Sequence, residues 1–77
     1  MNINRLKEIR EDRDYLQRDI AKILNIKQQQ YSEYEIGKRL IPIHYLSKLA
    51  DFYNVSIDYL LCKTDNKIPY EKSKIVQ

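Results

Sequence analysis

The stretch that decides the fold is QRDIAKILNIKQQQYSEYEIG, residues 17–37. It is typical of two short helices joined by a tight turn. The first of these helices gains one apolar side from Ile20, Ala21, Ile23 and Leu24. Asn25 stands at the turn, because Asn adopts the left-handed backbone conformation more readily than any residue except Gly. The second helix is predicted from Gln28 to Glu35, with Gly37 as its C-terminal stop.

Apolar residues at helical spacing predict another helix on the N-terminal side of this stretch. It covers residues 4–13, and its apolar residues are Ile3, Leu6 and Ile9. Asn2 or Asn4 can cap its start. Asp14 and Gln17 lie three positions apart, so they can form a capping box that starts the second helix early, at Tyr15.

Two more helices are predicted in the C-terminal half of the chain. A fourth helix covers residues 43–53, and its apolar side carries Leu46, Leu49, Ala50 and Tyr53. Asn54 can close that helix, and Ser56 is a good N-cap for a fifth helix that runs to Cys62. The prediction is therefore an all-α domain of five helices over residues 1–65, followed by a C-terminal tail over residues 66–77.

The apolar sides of these helices define one predicted core. Its members are Leu6, Ile9, Ile20, Ala21, Leu24, Ile26, Tyr31, Tyr34, Leu46, Leu49, Ala50, Tyr53, Val55, Ile57 and Leu60. Cys62 is expected to pack beside them as a small hydrophobic residue.

Length and composition limit the chain to one small domain. It has 77 residues, a net charge of +3, one Cys and one His. A single Cys and a single His make neither an internal disulfide nor a zinc site, and no catalytic set or Gly-rich phosphate loop is present. We therefore expect no enzymatic activity, no metal and no cofactor. Without a membrane-spanning run of about 18 apolar residues or a secretion signal, we expect a cytoplasmic protein.

The identities and mutual spacing of a set of residues between positions 4 and 65 form a characteristic pattern. These residues are Arg5, Leu6, Arg10, Gln17, Ile20, Ala21, Leu24, Asn25, Ile26, Tyr31, Ser32, Tyr34, Glu35, Gly37, Lys38, Leu46, Leu49, Ala50, Val55, Ser56, Tyr59, Leu60 and Leu61. In this spacing the chain resembles the lambda-repressor-like, Cro/CI-type helix-turn-helix domains of the XRE family. The resemblance implies a helix-turn-helix formed by the second and third helices, with double-stranded DNA as its partner.

One side of the third helix is predicted to face DNA. At about 100° per residue, Tyr31 and Tyr34 share the inner side of the helix, so the opposite side faces out. The predicted base-contacting residues are Gln28, Gln29, Ser32 and Glu33. Gln can hydrogen-bond adenine and Glu can accept from cytosine, and the resemblance implies base contacts at positions 28, 29 and 33. The alternative is that Gln stands there only as a soluble helix former.

Phosphate contacts are predicted on both sides of the third helix. Lys27 precedes it, and Lys38 and Arg39 follow it, so these cations can hold the DNA backbone across a groove. The alternative is ordinary solvated charge. Gln17 lies at the start of the second helix, where the resemblance implies a phosphate contact and the sequence equally allows a capping role.

An ion pair between Arg10 and Glu35 is predicted to tie the first helix to the third. Arg10 lies beside Leu6 on the inner side of its helix, where an unpaired charge would be costly. Glu35 closes the third helix, and the resemblance implies that these two positions pair. The alternative is that Arg10 extends to solvent or to a phosphate.

The predicted function is that of a sequence-specific, DNA-binding transcriptional regulator, a repressor that binds an inverted repeat as a homodimer. One module of this size reads few base pairs, so specificity normally needs two half-sites. The residues assigned to dimerisation are Leu61, Ile68 and Tyr70, and the alternative is that the tail folds back on its own domain. The rival functions are a protein-interaction module of the antitoxin or anti-repressor type and a purely structural helical protein.

Overall fold

The computed structural model describes residues 4–64 and residue 67. These residues form five helices and no strand, which confirms the all-α prediction. The helices are α1 (Leu6–Asp12), α2 (Gln17–Leu24), α3 (Gln28–Glu35), α4 (Ile43–Tyr53) and α5 (Ile57–Leu60). None of the helices in this part of the chain is long and apolar enough to cross a membrane.

A left-handed residue follows each of α2, α3 and α4. Asn25 and Asn54 follow α2 and α4 with φ of 57° and 58°, and Gly37 follows α3 with φ of 81°. After α2, the Asn25 N–H donates to the Lys22 carbonyl and the Ile26 N–H donates to the Ala21 carbonyl. These two bonds satisfy carbonyls that the helix end would leave unpaired. The chain therefore turns within the three residues 25–27, and α3 begins at Gln28 as predicted.

The start of α2 differs from the prediction. Asp14 has a left-handed φ of 61°, so the chain is still turning there and the expected box between Asp14 and Gln17 does not form. The helix begins at Gln17 instead, because the Asp19 carboxylate accepts a 2.8 Å hydrogen bond from the Leu16 N–H. A carboxylate in the first turn also interacts favourably with the positive end of the helix dipole.

The helices α1 and α5 are shorter than expected. The Asn4 side chain accepts a 3.0 Å hydrogen bond from the Leu6 N–H at the start of α1, but the N-cap residue is Arg5, and Asn2 lies outside the described residues. In α5, Ser56 accepts from the Tyr59 N–H as predicted, but the helix ends at Leu60. Cys62 comes two residues later, in a left-handed conformation that a helix cannot contain.

One core joins all five helices. The predicted core residues are buried, except Ile26 and Ile57, which are half-buried against it, and Tyr59 joins the buried set. Cys62 is exposed, so the expectation that it packs in the core is wrong. Arg5 connects the start of the described chain to α5. Its backbone N–H donates to the Leu60 carbonyl at 2.8 Å, and its guanidinium lies over the Tyr59 ring.

The left-handed turn at Asn25 provides a stability test. Replacing Asn25 by Ala should lower the free energy of unfolding by about 1–2 kcal/mol, since a residue with a Cβ and no local hydrogen-bonding side chain is strained there. Asn25→Gly should stay within about 0.5 kcal/mol, because relief of strain offsets the greater entropy of the unfolded chain. Urea unfolding measures both, with Lys22→Ala as an exposed control in α2. Equal losses in the Ala and Gly variants would mean that the Asn side chain, and not backbone strain, matters.

Candidate nucleic-acid interface

The packing of α2 against α3 determines which side of α3 is exposed. Ala21 is buried in α2, and its small side chain allows the two helices to approach closely. Tyr31 and Tyr34 fill the inner side of α3 and are both buried. The opposite side of α3 is therefore directed away from the core, as the helical periodicity predicted.

The N-terminal turn of α3 presents polar side chains. Gln28 and Gln29 are exposed, and Ser32 is half-buried one turn further along. Gln30 is half-buried and donates a 2.9 Å hydrogen bond to the Tyr34 hydroxyl, which holds it along the inner edge of the helix. The two residues that extend from the start of α3 are thus Gln28 and Gln29.

The C-terminal half of α3 carries a charged cluster. The Arg39 Nε lies 2.9 Å from a Glu33 carboxylate oxygen, and the Lys38 Nζ lies 3.8 Å from the other. The backbone explains this: Gly37 reverses the chain, and the N–H groups of Lys38 and Arg39 both donate to the Glu33 carbonyl. Separate roles were predicted for Glu33 and the two cations, whereas the structure brings all three together.

A polar hollow connects the two ends of α3. Its volume is about 230 Å³, and it is lined by Lys27, Gln29, Gln30, Glu33 and Arg39. Lys27 is exposed at the N-terminal side, where its backbone is extended and its side chain makes no capping hydrogen bond. The hollow therefore combines two amide groups with two cations and one carboxylate.

A buried ion pair fixes α3 against α1. The Arg10 Nε lies 2.6 Å from Glu35 Oε2, and its Nη2 donates to Glu35 Oε1 at 3.2 Å, so the predicted pair is present and bidentate. The Arg10 Nη1 donates to the Tyr15 carbonyl at 2.8 Å. The exposed fractions of the two charged side chains are 9% and 1%. All three nitrogens of the guanidinium therefore donate hydrogen bonds inside the protein.

The ion pair also shifts the pKa values of Glu35 and Arg10. Burial opposes ionisation of Glu35, but hydrogen bonds, foremost from Arg10, outweigh burial and hold the pKa of this carboxyl below its ordinary value. The hydrogen bond to Glu35 raises the pKa of Arg10 in turn. Burial raises the pKa of the Tyr31 hydroxyl, which therefore stays neutral beside the pair.

Gln17 joins the same pair through its side chain. Its Nε2 donates a 3.1 Å hydrogen bond to Glu35 Oε1, so the first residue of α2 is tied to the last residue of α3. Neither the predicted capping role nor the predicted phosphate contact anticipated this bond. Sequence spacing contained no sign of it, because the two residues are 18 positions apart and belong to different helices.

Of the residues predicted to mediate dimerisation, only Leu61 lies within the described part of the chain. Leu61 is half-buried at the end of α5 and lines an apolar groove of about 380 Å³. The groove also contains Leu40 and Ile43, whose exposed fractions are 84% and 66%. Ile68 and Tyr70 lie outside the described residues. The exposed apolar surface that the structure does describe at this end is therefore centred on the loop before α4.

Metal-ligating side chains do not cluster in the described part of the chain. No group of three or more His, Cys, Asp or Glu residues is placed to hold an ion among residues 4–64 and 67. The two carboxylates of α3 are instead paired with cations, Glu33 with Arg39 and Lys38, and Glu35 with Arg10.

Comparison with known protein families identifies the class of this fold. The family model described as Helix-turn-helix matches residues 6–60, which include all five helices. The chain belongs to this helix-turn-helix family, in agreement with the resemblance found from the sequence.

The similar curated proteins are named as regulators. HTH-type transcriptional regulator ImmR of Bacillus subtilis (strain 168) is 44% identical over 61 residues, which cover 79% of this chain and 48% of ImmR. The SPbeta prophage-derived uncharacterized HTH-type transcriptional regulator YonR of the same organism is 42% identical over 57 residues, covering 74% of this chain and 53% of YonR. HTH-type transcriptional regulator AnsR, also from Bacillus subtilis (strain 168), is 33% identical over 67 residues, covering 87% and 58%.

The chain spans about half the length of the first two relatives. No solved structure gives a significant match to it.

The buried ion pair leads to a pH-dependent prediction. At pH 7, Arg10→Met and Glu35→Gln should each lower the free energy of unfolding by about 3–5 kcal/mol, because each leaves a buried partner unsatisfied. The double variant should lose less than the sum. In the unfolded chain, Glu35 takes up a proton as the pH falls below the ordinary Glu pKa of about 4.3. In the folded chain, Glu35 takes up its proton at a lower pH. The coupling energy should therefore decrease as the pH falls through the lowered pKa of Glu35.

Urea unfolding of the four proteins at pH 7 and at pH 3 measures this coupling. Glu11→Gln removes an exposed acid from α1 and should change the unfolding free energy by less than about 0.5 kcal/mol. Additive losses at pH 7 would show that Arg10 and Glu35 do not interact energetically.

Proposed function

We propose that this chain is a sequence-specific DNA-binding transcriptional regulator, a repressor that binds an inverted-repeat operator as a homodimer. The observation that carries the proposal is the pair of exposed side chains, Gln28 and Gln29, on the first turn of α3. A recognition helix enters the major groove with its N-terminal residues against base edges. The helix-turn-helix family and the names of its relatives support the same conclusion.

Base readout in this proposal depends on amides and one carboxylate. Gln28 and Gln29 each offer an N–H donor and a carbonyl acceptor, which match the N7 and N6 positions of adenine. Glu33 is an acceptor that suits the cytosine N4 amino group, and Ser32 can donate or accept. Because α3 is held by the Arg10–Glu35 pair, these side chains are presented by a rigid helix, which favours specific contacts.

Phosphate contacts in this proposal flank α3. Lys27 stands before the helix, and Lys38 and Arg39 stand after it, all three exposed. The Gln17 side chain is held by Glu35, so its proposed phosphate contact comes through the N–H group at the start of α2. A protein that neutralises several phosphates binds with a strong dependence on salt, because counterions are released.

A second candidate, a protein-interaction module, is favoured by one observation. Ile36 follows the recognition helix and has an exposed fraction of 71%, although it lies beside polar residues. An exposed apolar side chain there suits a protein surface as well as a thymine methyl group. Binding to DNA distinguishes the two candidates.

The proposed homodimer uses the apolar groove at the end of α5. Leu61 lines it, and the exposed Leu40 and Ile43 extend it. Exposed apolar patches mark interaction sites, and a second copy of the chain would supply the second half-site reader.

The first test of the function is selection of bound duplexes from a random pool, followed by titration at two salt concentrations. We expect an enriched inverted repeat and an affinity for it that falls steeply with salt. Gln28→Ala and Gln29→Ala should each relax preference at one base pair per half-site, at a cost of about 1–3 kcal/mol. Asp51→Ala, at an exposed position of α4 outside the polar hollow, serves as the control. Equal affinity for selected and scrambled duplexes would exclude specific recognition.

Sedimentation of the protein, free and on DNA, tests the dimer. Leu40→Gln should shift the equilibrium toward the monomer and weaken binding to the full inverted repeat more than to a half-site. Leu16→Gln is the matched control, since it removes an exposed apolar side chain outside the groove. A wild-type chain that remains monomeric in both conditions would rule out the homodimer.

A further inference from the structure

An acidic side chain lies on the face of α3 that is proposed to meet DNA. A carboxylate near phosphates is repelled by them, so Glu33 is unfavourable there unless a cation compensates it. The Arg39 Nε provides this compensation at 2.9 Å. The exposed fraction of the Glu33 side chain is 17%, so its orientation is restricted by neighbouring groups.

Arg39 and Lys38 differ in how they can hold Glu33. At 2.9 Å, the Arg39 Nε is within hydrogen-bond distance of the carboxylate, whereas the Lys38 Nζ at 3.8 Å contributes only charge. The planar guanidinium also carries four N–H donors on its two terminal nitrogens. The Arg39 side chain is 64% exposed, so these terminal nitrogens can reach a phosphate while Nε stays on Glu33.

The backbone places the two residues together before any partner binds. The Arg39 N–H donates to the Glu33 carbonyl at 3.3 Å, after the reversal of the chain at Gly37. Both side chains then line the polar hollow that also contains Gln29. The carboxylate is consequently directed to the same space as a proposed base-reading amide.

From this geometry we infer that Arg39 is a positioning residue for base readout by Glu33. It holds the carboxylate so that one oxygen can accept a hydrogen bond from a cytosine N4 amino group, and its terminal nitrogens face the phosphate backbone. Arg39 therefore affects which base pair is preferred as well as how tightly DNA is bound. This inference rests on the proposed function and goes beyond it, because there Arg39 contacts phosphate alone.

The test compares Arg39→Lys, Glu33→Gln and Lys38→Gln with the wild-type chain, by selection from a random duplex pool and by titration against duplexes that differ at single base pairs. Arg39→Lys keeps the charge and removes the guanidinium fork. We expect Glu33→Gln to change the preferred base at one position per half-site. Arg39→Lys should lose about tenfold in discrimination at that same position and keep the preferences at the other positions.

Lys38→Gln is the matched control, since it removes a neighbouring charge that lies too far from Glu33 for a hydrogen bond. It should weaken binding to all duplexes by a similar factor and leave base preference unchanged. Thermal unfolding of each variant checks that the fold is retained.

Two results would overturn the inference while leaving sequence-specific DNA binding by the domain intact. One is wild-type base preference in Arg39→Lys, and the other is a Glu33→Gln variant whose preferred sequence is unchanged. A wild-type chain that selects no duplex would instead refute the proposed function, and the role of Arg39 with it.

Discussion

The buried pair of Arg10 and Glu35 is the interaction on which the arrangement of the helices depends. Removing two charges from water is costly, and their attraction compensates only when the geometry is good and the remaining donors and acceptors are satisfied. Here the contact is bidentate, the third nitrogen of Arg10 reaches the Tyr15 carbonyl, and Gln17 donates to Glu35. The Arg10–Glu35 pair therefore joins the end of α3 to α1, to the turn after α1 and to the start of α2.

This arrangement constrains α3 more than hydrophobic packing alone would. Tyr31 and Tyr34 hold its inner side, but apolar contacts are not directional and would tolerate some rotation of the helix. A bidentate ion pair at the last residue of α3 is directional, so it fixes the rotation and the position of that end. The left-handed Asn25 fixes the other end by limiting the connection from α2 to a tight turn.

Local patterns explain which parts of the fold could be predicted. The bounds of α3 and α4 followed from apolar spacing and from Gly37, Asn25 and Asn54, each of which acts within a few residues. The pairing of Arg10 was foreseeable because an inward charge needs a partner. The start of α2 was mispredicted because the spacing of Asp14 and Gln17 fits a capping box. The left-handed backbone at Asp14 excludes that box, and the Asp19 carboxylate accepts from the Leu16 N–H instead.

Contacts between distant residues could not be predicted in this way. The hydrogen bond from Gln17 to Glu35 joins two helices, and the contact of Glu33 with Arg39 depends on how the chain reverses at Gly37. Neither leaves a periodic pattern in the sequence. The exposure of Cys62 was missed for a related reason, since its left-handed conformation ends α5 earlier than apolar spacing indicated.

The residues that hold the helices together are separate from those on the exposed first turn of α3, and this has a consequence for how such a domain can diversify. Gln28 and Gln29 are exposed, so substitutions there leave the packing of the helices untouched. Position 33 is different, because its side chain is linked to residue 39, and the two positions are expected to change together. Under the proposed function, residues 28 and 29 can therefore be varied independently to retarget the domain, whereas residues 33 and 39 should be randomised as one unit.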